Sequence, residues 1–192
     1  MNIRQQLSFA LSLLTGLALF ASPGTATAQA WTIDAAHTSA GFSVRHMMIA
    51  NVKGHFNGVV GTVEFDPARP EGMKITAEID VRTVDTRMEK RDEHLRGADF
   101  FDVEKFPKMT FVSKRVKAIG KGQLQIVGDL TLRGVTREVV LEARGFDQVV
   151  KDPFGGTRVG GVATTKIQRK DFGLGWNKAL ESGGVLVGEE VT

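Results

Sequence analysis

The feature that most constrains this chain is an alternation of apolar and polar residues with period two. From Lys74 to Val81 every odd position is apolar and every even one polar, the pattern of a strand with one buried face. Residues 123–132 repeat it on even positions, with Leu124, Ile126, Gly128, Leu130 and Leu132. In residues 136–144, Val139, Leu141 and Ala143 oppose Glu138, Glu142 and Arg144; in residues 157–167, Val159, Gly161, Ala163, Thr165 and Ile167 share a face. Residues 39–44 and 61–65 alternate more weakly, and 109–119 read as a further strand. Turn signals separate these runs: Asp66-Pro67, Pro70-Glu71-Gly72, Gly120-Lys121-Gly122, Arg133-Gly134 and Asp152-Pro153-Phe154-Gly155-Gly156. Short strands joined by tight turns, with no alternating helices, predict an antiparallel meander closed as a sandwich or barrel. Gly54, Gly58, Gly61, Gly128, Gly160 and Gly161 fall within apparent strands. Closed barrels need bends of the kind strand glycines supply, which moves the balance towards a barrel. A small barrel of eight strands either fills its interior with side chains or holds one small ligand.

One segment breaks the period. Thr86-Arg87-Met88-Glu89 has the form of a helix capping box, residues 90–96 can continue as a helix, and Gly97 suits its end. Phe100 and Phe101 follow. This short helix is expected either to cover one end of the barrel or to be a surface excursion that closes the core.

The first thirty residues read as an export leader. Arg4 precedes an apolar run from Leu7 to Ala21, and small residues end in Ala26-Thr27-Ala28-Gln29-Ala30, the order of a secretory signal peptide cleaved after Ala28 or Ala30. The apolar run is shorter than the ~20 residues that span a bilayer. Removing residues 1–30 from the 192 leaves 162 in one domain, 31–192, and takes away only Arg4, so a net charge of +3 becomes +2. That balance does not supply the clustered basic excess a nucleic-acid binder relies on. The absence of Cys excludes disulfides, thiolate metal sites and Cys nucleophiles. The expected compartment is a periplasm.

Constellations for chemistry are sparse. His37, His46 and His55 are nine residues apart, a spacing without metal-ligand meaning, and no H-E-x-x-H occurs. Arg91-Asp92-Glu93-His94 is the densest polar cluster, but Asp92 and His94 at i, i+2 on a helix do not share a face. There is no G-x-S-x-G elbow or P-loop. Ten Phe residues beyond the leader, with Trp31 and Trp176, serve a packed core or the lining of an apolar pocket equally well.

An ordered set of segments resembles the YceI-like family of secreted lipid-binding proteins. It runs through Trp31-Thr32-Ile33-Asp34, His37-Thr38, Phe42-Ser43-Val44-Arg45-His46, Lys53-Gly54-His55-Phe56 and Thr83-Val84-Asp85-Thr86. Arg91-Asp92-Glu93-His94-Leu95, Asp99-Phe100-Phe101-Asp102-Val103, Phe106-Pro107, Thr110-Phe111, Gly128 to Thr136 and Lys170-Asp171-Phe172-Gly173 complete it. The resemblance implies an eight-stranded antiparallel lipocalin-like barrel with a short helical insertion. It also implies that the lumen binds a polyisoprenoid or similar amphiphile, such as a polyprenyl quinone, as ligand rather than cofactor. The family's closing strand is expected after Glu189; here Val191-Thr192 ends the chain, which reads as a truncated last strand.

The resulting expectation is a non-enzymatic periplasmic carrier. Its lumen candidates are Phe42, Val44, Ile75, Ile79, Val81, Phe100, Phe101, Phe111, Leu124, Ile126, Leu141, Ile167 and Trp176. His46, Arg91, Asp92 and His94 are candidates for the mouth or head group. Expected partners are an amphiphilic lipid and, transiently, a membrane, with no nucleic acid; the oligomeric state stays open, a dimer included. Two alternatives remain: a metal-assisted hydrolase using the histidines with Asp92, and a packed-core interaction module.

Overall fold

The computed structural model describes residues 29–192. The expected leader lies outside them, except that Gln29 and Ala30 open the first strand. The strands are β1 (Gln29–Thr32), β2 (Ala40–His46), β3 (Ala50–Phe56), β4 (Val59–Phe65), β5 (Lys74–Asp80), β6 (Lys108–Gly120) and β7 (Gln123–Leu132). They continue as β8 (Val135–Arg144), β9 (Val149–Lys151), β10 (Thr157–Val159), β11 (Val162–Thr164), β12 (Ile167–Gln168) and β13 (Val187–Val191). The one α-helix among the described residues, α1, spans Glu89–Arg96. All pairings are antiparallel, in a seven-stranded sheet of order β1-β4-β5-β6-β7-β8-β11, a four-stranded sheet β12-β13-β2-β3 and a small hairpin β9-β10. Strands β11 and β12 follow one another along the chain, so the wall passes from the first sheet to the second and curls into a barrel-like shell.

The all-β barrel architecture agrees with the alternation; the strand count does not. The run 157–167 is three strands, not one, because Gly160-Gly161 and Thr165-Lys166 interrupt the ladder. Gly58 lies in the β3–β4 turn with φ 69°, and Gly160 and Gly161 lie between strands, so of the six glycines only Gly54, Gly61 and Gly128 are in strands. Val81 is not in β5 but opens a 3-10 turn, Val81–Thr83, with its side chain buried.

Inward parity sets the core. On β5 it is Ile75, Ala77 and Ile79, and on β7 Leu124, Ile126 and Leu132. On β6 it changes part-way: Met109 and Phe111 face in, then the register shifts between Ser113 and Arg115, and Val116 and Ala118 face in. The bulge leaves Lys114 and Arg115 both outside, where Lys114 Nζ lies 2.6 Å from Asp129 and Arg115 Nη2 3.1 Å from Glu138. An extra residue of this kind bends the strand and increases its twist, which helps the sheet curl.

Two glycines let rings lie flat on the wall. A Cβ at Gly54 would sit 2.4 Å from the ring of Phe42, its cross-strand neighbour, and one at Gly128 2.5 Å from the ring of Phe111. Aromatic rings thus occupy the space over strand glycines.

The last strand, β13, begins at Val187, earlier than expected, and inserts between β12 and β2. Its pairing with β2 continues through Thr192, whose backbone exchanges hydrogen bonds of 2.9 and 3.1 Å with Ser43.

Candidate functional site

The interior holds two apolar clusters. The larger is built on Phe65, Phe100, Phe111, Leu124, Ile126, Phe172 and their neighbours, the smaller on Phe56, Val81, Val84 and Val103. Leu95, Phe101 and Met109 pack against both, so the segment around α1 joins them.

That segment is fastened by polar contacts. Asp92 and Thr86 are both buried, 4% exposed each. Asp92 Oδ1 accepts from the Thr86 backbone N–H at 2.9 Å and from its hydroxyl at 2.5 Å. Arg91 Nε donates to the same hydroxyl oxygen at 2.7 Å and Nη2 to the Thr86 carbonyl at 2.9 Å. The capping-box reading is therefore corrected: Met88 is the N-cap, without a side-chain cap bond, and the partner of Thr86 is Asp92, not Glu89. Thr86 lies too far ahead of the first helical turn to cap it. Gly97 does end the helix, its N–H donating to the His94 carbonyl. Arg96 ties the helix to the preceding turn through the carbonyls of Arg82 (3.0 Å) and Val84 (3.2 Å).

At the other side of α1, the His94 ring stands edge-on to Phe100 (centroids 5.0 Å) and to Trp176 (4.9 Å), while its Nε2 pairs with Asp99 at 2.9 Å. Arg133, in the β7–β8 turn, donates to the carbonyls of Ala98 at 2.7 Å and of Gly173, clasping the lid to the 169–173 segment. Arg169 is 4% exposed and donates to the carbonyls of Gly188 (2.8 Å), Val187 (3.3 Å) and Leu174. Burial pushes its guanidinium down from its ordinary value. Asn177 reinforces this clamp, its amide bonding the carbonyl and N–H of Val187 at 2.7 and 3.0 Å.

The expected lumen residues can now be placed. Val81, Phe100, Phe111, Leu124 and Ile126 are buried in the clusters; Phe42, Ile75, Ile79, Phe101, Leu141, Ile167 and Trp176 pack against them and stay half-buried. Val44 is half-buried on β2, opposite Val52 and Val191. Arg91 and Asp92 are brought together at Thr86, while His94 stands at the other side of α1 with Asp99, Phe100 and Trp176. His46 lies apart from them, at the end of β2, between Ala50 and Val187. Alternation alone misses Arg169 and Phe172. Their signal is positional: Arg169 continues the inward parity of Ile167, and a cation on an apolar parity marks a buried, carbonyl-bound charge.

Two concavities flank the shell. A groove of about 350 Å³ beside α1 is lined by Asn57, Thr83, Val84, Asp85, Arg87, Met88, Glu89, Asp92 and Arg96. A cavity of about 70 Å³ lies among Phe65, Pro67, Pro70, Ala118, Leu124 and Phe146. Among the described residues no group of three or more His, Asp or Glu is placed to hold a metal ion. The surface carboxylates are held below their usual range by hydrogen-bonded partners: Asp34 by His37, Asp80 by Arg82, Asp152 by Arg158 and Glu189 by Lys170.

A curled antiparallel wall, a helical lid and an apolar inner face define a lipocalin-like protein of the binding type. The YceI-like domain matches residues 31–192, and the chain belongs to that family. A UPF0312 protein of Staphylococcus aureus strain MSSA476 is 40% identical over 162 residues, covering 84% of this chain and 91% of that protein. One from Vibrio cholerae is 39% identical over 159 residues, 82% and 84% of the two chains. Among solved structures, the Campylobacter jejuni YceI protein is 36% identical with a TM-score of 0.60, covering 74% of this chain and 83% of its own. A polyisoprenoid binding domain from Saccharophagus degradans shares the fold at 14% identity and TM-score 0.56, covering 85% and 93%.

Proposed function

We propose that this protein is a non-enzymatic carrier that holds one long-chain isoprenoid or similar amphiphilic lipid against its inner face, and that it works in the periplasm after export. The observation that carries this is the half-buried state of the inner wall. Phe42, Ile79, Phe101, Leu141 and Trp176 pack against the core yet are not sealed, so a ligand that buries them adds apolar stabilisation. Each methylene removed from water contributes about 0.8 kcal/mol, so a long tail needs few polar contacts. The polyisoprenoid binding domain that shares the fold supports the choice of ligand class. A polyprenyl quinone fits the same chemistry.

The cavity of about 70 Å³ is below the ~300–1,000 Å³ of ordinary ligand sites. On this reading a tail enters as inner side chains swing aside, with the segment around Phe101, which packs against both clusters, the element to move. The close burial of Phe65, Phe111, Leu124 and Ile126 is the observation that favours the alternative, a packed-core module. Native mass spectrometry on gently purified protein, with organic extraction, separates the two. The carrier reading expects one lipid mass per chain; protein that is always empty and takes up no polyprenyl lipid supports the module instead. The hydrolase reading has no metal-ligand set among the described residues, and Asp92 is committed to Thr86.

A further inference from the structure

The hairpin joining β2 and β3 carries a feature the barrel does not need. Its turn, His46-Met47-Met48-Ile49, is closed by a bond of 3.2 Å from the Ile49 N–H to the His46 carbonyl, with φ 51° at Met47 and 62° at Met48. Positive φ at both central residues is the geometry for which Asn-Gly is favoured, and L residues other than Gly or Asn are strained there. Two methionines hold it nonetheless, and with Ile49 they are 45%, 50% and 78% exposed. A strained backbone that displays apolar side chains points to a use for those side chains.

Charge indicates the partner. From Asp34 to Glu64 the chain has no acidic residue in between, while Arg45 and Lys53 flank the tip. Arg45 Nε donates to the Met48 carbonyl at 3.1 Å, holding a cation at the turn itself. The 178–186 turn also lies against the tip, its Leu186 carbonyl bonding the Met47 N–H and its Gly184 facing Met48, and it adds Lys178 and Glu181; apolar residues beside this net excess of cations match an anionic bilayer, where side chains enter the interface and cations meet head groups. The hairpin also leads inward: the Val44–Val52 and Phe42–Gly54 pairs continue from the tip, and Phe42 stacks at 5.5 Å on Phe56 in the core. Another exposed apolar tip, Phe154 at 94% exposure, has a carboxylate in its own turn, with its N–H donating to Asp152.

We propose that the Met47-Met48-Ile49 tip is a peripheral docking element for an anionic lipid bilayer, from which the β2–β3 ribbon leads towards the interior. This rests on the carrier reading for its purpose, but not for its test. The measurement is vesicle co-sedimentation of the full chain, and in parallel of residues 29–192, the whole of the described fold. The vesicles are phosphatidylcholine alone or with about 30 mol % phosphatidylglycerol. The decisive variant is M47N/M48G/I49T, which removes the apolar tip while supplying the residues the turn prefers, so folding is preserved or improved. Binding to the anionic vesicles is expected for the unaltered protein, weakened by salt, and at least tenfold weaker for the triple variant, with Phe154→Ser unchanged. No binding by the unaltered 29–192 chain, equal binding by a folded triple variant, or loss confined to Phe154→Ser would each overturn it. Protein that carries lipid by mass spectrometry yet ignores vesicles refutes the docking tip and leaves the carrier standing; vesicle binding without any carried lipid does the reverse.

Discussion

Asp92 shows how a single residue can be visible in a sequence while its work is not. The Arg-Asp-x-His cluster stands out as the densest polar group, yet its contacts are with Thr86, six positions back, and a spacing rule written for capping boxes assigns Thr86 the wrong partner. Local rules fail there because the bond forms across a loop whose path depends on the packed core beneath it. The consequence is testable. Asp92→Ala leaves the Thr86 N–H and hydroxyl without their acceptor in a buried setting, and about 2–4 kcal/mol of stability is expected to be lost; Asp92→Asn, which keeps an acceptor oxygen, should lose about half as much in urea unfolding. The surface carboxylates behave differently. Asp34, Asp80, Asp152 and Glu189 have lowered folded values, so their contribution is present above the ordinary carboxylate value, about 4, and is lost as pH falls through the folded values. All are solvent-screened. Melting followed from pH 7 to pH 3 should therefore be nearly level at first and decline only below about pH 4.

At the scale of elements, β7 is legible to the residue because its even-position alternation is unbroken and both its ends are tight turns. Strand β6 is not, since the shift at Lys114 exchanges its faces half-way, and no period count carries across a bulge. The 157–167 run fails for a related reason: Val159 and Ile167 both pack inward, but breaks at Gly160-Gly161 and Thr165-Lys166 divide it into three. Strand β13 escapes the alternation because it depends on partners from elsewhere in the chain, Arg169 and Asn177. Arg169→Leu removes the guanidinium from the carbonyls of Leu174 and Gly188 and leaves the Val187 carbonyl to Asn177 alone, and hydrogen exchange is expected to show reduced protection over residues 187–191 while β7 stays protected. If β13 keeps full protection, the clamp is not what holds it. Gly128→Ala presses a methyl group into the Phe111 ring and the Val112 carbonyl, and a loss of about 1–3 kcal/mol is expected from overpacking.

For the whole molecule, fold and ligand class come from different sources. The curled antiparallel wall follows from alternation, turns and glycines. The choice of an isoprenoid tail rests on family likeness together with the half-buried inner face, because a non-directional apolar surface selects for hydrocarbon without naming it. The helix, fastened through Thr86, Arg96 and Arg133, packs Leu95 against both apolar clusters, and in the proposed carrier its segment is the one that moves to admit a tail. Trp176, in ring contact with Phe100 and His94, reports on that segment, and Trp31, bonded to the Phe65 carbonyl at 3.3 Å, on the core below. The most direct test is a fluorescence titration of the purified 29–192 chain with prenyl alcohols of increasing length. A carrier that buries the tail predicts saturable binding of one lipid per chain, tightening steadily with each added isoprene unit until the interior is filled. Binding that is absent, or independent of chain length, would contradict it.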